Sequence, residues 1–120
     1  MDQNVRPPGK TTISPDVLTT IARLTASSIA GVSHMSTTAT DVNQFLKRGL
    51  TAAEGVRIDV VDDAVYADIY VVIKNNFNAR EVSHQIQSLV ARSISEMVGM
   101  EVGKVNVHIE DIEYSPNTES

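Results

Sequence analysis

The sequence predicts an α+β fold, a two-layer sandwich in which a small mixed sheet of three or four strands carries two main helices on one face, in the order α-β-β-α-β. Three observations predict it. Apolar residues recur at helical spacing after Ser14 and again after Asn78, and they alternate with polar residues at period two over 56–73 and 105–110. Each alternating stretch keeps one consistently apolar face, so both helices must cover that face and the other side of the sheet stays uncovered.

Residues 1–12 are polar, contain Pro7-Pro8, and read as a flexible N-terminal arm. The first helix begins at Ser14, a favourable N-cap, with Pro15 at its first position and Asp16 near the positive end of its dipole. Val17, Ile21, Leu24 and Ser28 form one stripe, flanked by Leu18, Thr25 and Ile29, and Gly31 suits a left-handed C-cap. Val32–Met35 can form a short extended piece. Residues 36–54 read as a mobile loop with at most a turn of helix, in which Val42, Phe45, Leu46 and Leu50 lie beside Lys47-Arg48.

From Val56 the period is two. Val56, Ile58 and Val60 alternate with Arg57, Asp59 and Val61; after Asp62-Asp63, the set Val65, Ala67, Ile69, Val71 and Ile73 alternates with Tyr66, Asp68, Tyr70, Val72 and Lys74. A two-residue turn at Asp62-Asp63 pairs Val60 with Val65, Ile58 with Ala67 and Val56 with Ile69. On the other face it pairs Asp59 with Tyr66 and Arg57 with Asp68, an opposite-charge pair. A four-residue loop gives the same pairing, whereas a three-residue loop sets apolar residues opposite polar ones.

Asn78 opens the second helix, with Glu81 three residues on as the other half of a capping box, and Gly99 closes it. Its stripe is Val82, Ile86, Leu89, Val90, Ser93, Ile94 and Met97. In the last strand Val105, Val107 and Ile109 share one face, opposite Asn106, His108 and Glu110, and Ile112 breaks the alternation. A right-handed crossover makes this strand parallel to the second hairpin strand. Its neighbour in the sheet, either hairpin strand, stays open. The domain thus spans 13–112, followed by an acidic, disordered tail at 113–120.

A chain of 120 residues with 42% apolar content suffices for one core, and the scarcity of aromatics leaves that core to Val, Ile, Leu and Ala. With no cysteine, there are no disulfides, thiolate zinc sites or cysteine nucleophiles, which is compatible with a reducing compartment. The longest apolar run, Ile69–Ile73, falls far short of the ~20 residues of a membrane span, and the N-terminus lacks the apolar core of a secretory signal. A cytoplasmic protein without direct membrane insertion is expected. The net charge of −5, with Glu110, Asp111, Glu113 and Glu119 crowding the C-terminal end, disfavours nucleic acid as a partner.

The blocks Ile13–Leu18, Ile21-Ala22 and Ile29–Val32, then Gly55–Val60 with the hairpin to Ile73, then Val90, Ile94, Met97, Gly99-Met100, Val102 and Val105–Val107 resemble, in order and spacing, the alkaline-shock family of Gram-positive envelope-stress proteins. The resemblance spans roughly residues 10–112. It implies a non-enzymatic stress-response protein, a protein-binding or scaffold domain that self-associates or docks on a membrane-anchored protein. The alternative it implies is a regulatory partner of a lipid-precursor enzyme. The family supplies no catalytic residues to carry over. Ser28, where an acidic residue is common, and the long segment after Met35 depart from its pattern.

The residues themselves point the same way. His34, His84 and His108 fall on three elements with no pair at ligand spacing, so no metal and no cofactor is expected. Ser83 and His84 are helical neighbours whose side chains diverge. The segment Gly99–Gly103 follows a helix and precedes a strand, the wrong order for a phosphate cradle, so Gly99 reads as a cap and Gly103 as a turn residue. Asp59, Asp68 and Glu110 share the uncovered sheet face, but a flat, solvated face lacks the pocket in which catalytic carboxylate pairs sit. Tyr66, Tyr70 and Val72, with Arg57 beside them, are the candidate protein-interaction residues, joined by Val61 and Ile112. Tyr and Arg are favoured at protein interfaces; cross-strand packing diluted by Asp59, Asp68 and Lys74 explains the same pattern without a partner.

Overall fold

The computed structural model describes residues 9, 11–36, 51–53 and 55–114. Most of the expected N-terminal arm, the body of the expected 36–54 loop and the tail from 115 lie outside these residues. The elements are α1 (Pro15–Ser27), β1 (Val32–Met35), β2 (Thr51–Ala53), β3 (Val56–Val61), β4 (Ala64–Lys74), α2 (Ala79–Val98) and β5 (Glu101–Glu113). The α-β-β-α-β order holds for the long elements. The short strands β1 and β2 raise the sheet to five strands, and Thr51–Ala53 is strand where a loop was expected.

Helix α1 starts as its sequence dictates, with Ser14 Oγ accepting from the Asp16 N–H at 3.2 Å. It ends earlier than expected. The hydroxyls of Ser27 and Ser28 bond back to the carbonyls of Leu24 and Thr25, competing with the helix for its last acceptors. Ser28 is therefore the C-cap, and Gly31 (φ 100°) turns the chain into β1 instead. Helix α2 starts and stops where expected: Asn78 Oδ1 accepts from the Glu81 N–H at 3.0 Å, and Gly99 adopts φ 74°.

The hairpin β3–β4 has the expected register, from Val56↔Ile69 through Arg57↔Asp68 to Val60↔Val65. Asp62 (φ 52°) and Asp63 (φ 65°) both take left-handed conformations, the signature of a two-residue I′ turn. Strand β4 is the centre of the sheet. Along one edge it pairs with β5, in parallel, over its full length; along the other it pairs with β3 and then with β1, both antiparallel. The handover falls at Tyr70, whose N–H donates to Gly55 O at 2.7 Å and whose C=O accepts from the Ser36 N–H at 2.8 Å. Gly55 (φ 83°) sits in this junction, where a Cβ would lie 2.6 Å from Ser36 O and 2.8 Å from Tyr70 O. Only glycine meets both demands.

Both helices pack on one face of the sheet. The core joins Leu18, Ile21, Ala22, Ala26 and Ile29 to Val82, Ile86, Val90 and Ile94, over Val56, Ile58, Val65, Ala67, Ile69, Val71, Ile73 and Val105. Several expectations need correction. On α1 the buried line includes Ala22 and Ala26, each 0% exposed, while Val17 and Leu24 lie at the surface; the alanines bring the helix close to its neighbours. On α2, Leu89 and Met97 are likewise exposed. Val60, beside the hairpin turn, is 41% exposed rather than covered by the helices. Strand β5 carries two irregularities in its pairing with β4, skipping Gly103 and Glu110. The second bulge returns Ile112 to register with Ile73, on the helix-covered side rather than the open one. Gly103 is the first bulge, not a turn.

Candidate protein-binding face

Alternation on β3, β4 and β5 sends Arg57, Asp59, Tyr66, Asp68, Tyr70, Asn106 and His108 to the open side of the sheet. The register brings five of them together. Arg57 lies opposite Asp68 on one side, Asn106 opposite Asp68 on the other, and Tyr70 opposite His108.

Asp68 is the hub. Arg57 Nη2 is 3.0 Å from Asp68 Oδ2, and His108 Nε2 is 3.0 Å from Oδ1. Asn106 Nδ2 donates to the same Oδ1 at 3.2 Å. Burial by itself pushes the Asp68 carboxyl up. The hydrogen bonds from His108 and Asn106 and the charges of Arg57 and His108 outweigh it, and the net effect holds the group below its ordinary value. A carboxylate held ionised in this way is poorly suited to general acid–base chemistry near neutral pH, which needs a pKa raised toward the working pH.

Aromatic rings flank this network. Tyr70 stacks on the imidazole of His108 with centroids 4.5 Å apart and planes 13° from parallel. Tyr66, 41% exposed, lies over Gly103, where a Cβ would come within 2.6 Å of the ring. The bulge glycine is thus what lets the Tyr66 ring lie along the sheet. Of the four interaction residues expected from sequence, Tyr66 is the most exposed; Arg57 and Tyr70 are half-buried in the network. Val72 is 9% exposed and offers little surface. Alternation alone puts His108 and Asn106 on this face, but their partnership with Asp68 and Tyr70 depends on β5 lying beside β4, which the sequence leaves open. His34 and His84 lie elsewhere. Among the described residues no group of three or more His, Asp or Glu is arranged to hold a metal ion, and no helix is long and apolar enough to cross a membrane.

Fold and face together define a class: a two-layer α+β domain whose sheet presents an ordered polar network between two tyrosines. The chain belongs to the alkaline-shock protein family, described by its cell envelope-related function, whose model matches residues 3–114; the resemblance read from the sequence is borne out. YqhY of Bacillus subtilis (strain 168) is 28% identical over 107 residues, which cover 88% of this chain and 78% of that protein. YloU of the same organism is 24% identical over 111 residues, covering 87% and 88%. Among solved structures, a variant of the MamM CTD has a similar fold, with a TM-score of 0.51 and 15% identity over 82% of this chain and 95% of that one. At that identity the likeness concerns the fold alone.

Proposed function

We propose that this chain is a non-enzymatic binding domain of the cell-envelope system, and that it captures a partner protein on the open face of its sheet. The observation that carries the reading is the Arg57–Asp68–His108 network with Tyr66 and Tyr70 at its flanks. It fixes the orientation of aromatic and guanidinium groups before any partner arrives, which lowers the ordering cost of binding. Tyrosine and arginine are the residues that dominate protein interfaces energetically. Asp68 held as a carboxylate supports a recognition role over catalysis, and the family's envelope-related function supports a partner at or near the envelope. The acidic balance of the chain argues against nucleic acid as that partner.

The double change Tyr66→Ser with Tyr70→Ser tests the reading. Pull-down from membrane and soluble fractions should lose the partner, while thermal melts show a fold that is still intact. Capture unchanged in the folded variant would reject the open face as the binding surface. Recovery of a soluble lipid-precursor enzyme in place of a membrane-anchored protein would favour the regulatory alternative.

A further inference from the structure

We infer that the outer edge of β5 pairs with β5 of a second copy, antiparallel and across a two-fold axis at Val107. This edge borders the open face but leaves Tyr66 and Tyr70 outside the pairing, and the inference does not rest on the reading above.

The backbone directions follow from the hydrogen bonds. The Tyr70 N–H and C=O point to Gly55 and Ser36, so even-numbered residues of β4 serve β3 and β1, and odd-numbered ones serve β5. With Ile69 in register with Val107, Asn106 and His108 bond to β4, while Val105, Val107 and Ile109 turn their N–H and C=O groups outward. Gln87 Nε2 reaches the Val105 carbonyl at 3.1 Å, as this assignment requires, and the carbonyl keeps a second lone pair for another donor. Among the described residues no strand pairs with that edge. The stretch between the bulges at Gly103 and Glu110 is regular, so it can accept a further strand.

The side chains select a second copy as that strand. In an antiparallel pair centred on Val107, Val105 faces the other copy's Ile109, so apolar meets apolar on the helix-covered side. Asn106 faces His108 on the open side. Lys104, the one lysine of β5, faces Glu110, and the two-fold axis makes this pair twice. A centre at Asn106 would instead set Lys104 against His108 and Val102 against Glu110. Pairing at Val107 joins the two open faces into one continuous sheet surface, doubling whatever site each copy carries.

Sedimentation and light scattering on the full chain, with charge-reversal variants, test this. Lys104 and Glu110 are exposed, so Lys104→Glu and Glu110→Lys should leave the melting temperature nearly unchanged. Each alone should weaken dimerisation by about tenfold or more, and the double swap should restore it. The chain has no cysteine, so Val107→Cys gives an independent readout. In this register the two 107 Cα atoms lie about 5.5 Å apart, within disulfide range, and mild oxidation should yield a covalent dimer. A monomer at all concentrations, a dimer indifferent to Lys104→Glu, or no crosslink through position 107 would each overturn the inference. The Tyr66/Tyr70 double variant should still dimerise, which separates this surface from the partner-binding face.

Discussion

Asp68 shows how one carboxylate organises the open face. The side chain is 17% exposed and receives bonds from β3 through Arg57 and from β5 through Asn106 and His108. Because its folded pKa lies below the unfolded value, the stability it contributes is present above about pH 4 and is lost as pH falls through the folded pKa. Urea unfolding from about pH 7 down to pH 2 should show an acid limb that is shallower in Asp68→Asn than in the parent. A stability difference between the two proteins that is constant across that range would mean Asp68 takes no part in the acid limb. The Arg57–Asp68 pair is legible in the sequence because hairpin register follows from turn length. The His108 contact is not, since it joins strands separated by a helix.

At the scale of elements, the helices separate what pattern reveals from what packing selects. The caps Ser14, Asn78 and Gly99 act as their residue types predict, because capping is a contact within a few residues. The stripe of α1 expected from sequence is displaced by about one position from the buried one. Large side chains mark Val17 and Leu24, yet the helix approaches its neighbours along Leu18, Ile21, Ala22 and Ala26. Leu24→Gln should therefore change stability by less than about 0.5 kcal/mol, whereas Leu18→Ala should cost about 2–5 kcal/mol. Chemical denaturation of the two variants decides it, and equal losses would restore the stripe that the sequence suggests.

For the whole molecule, the sheet is built outward from β4, which pairs with β3 and β1 along one edge and with β5 along the other. Ile69 lies at its centre, 0% exposed, within the core that the helices and sheet share. Ile69→Ala should destabilise the protein by about 2–5 kcal/mol, because a core with few large side chains cannot collapse into the space. A measured loss below about 0.5 kcal/mol would show that the faces of β4 are reversed from those described. The position of β5 is also settled at this scale. β2 occupies the outer edge of β3, which leaves the edge of β4 as the place where the crossover through α2 can deliver a parallel strand.

The sequence by itself determined the helix starts, the second helix's end, the β3–β4 register, the single apolar face of β3, β4 and β5 and the family, since these rest on period, local caps and turn length. Tertiary structure decided which side of α1 packs, that Thr51–Ala53 is a strand, where β5 bulges and that it lies beside β4. Those choices depend on how closely elements approach and which edges are already filled, and such long-range contacts have no local signature. The hub at Asp68 needed both: alternation put its partners on one face, and only the placement of β5 brought them within reach.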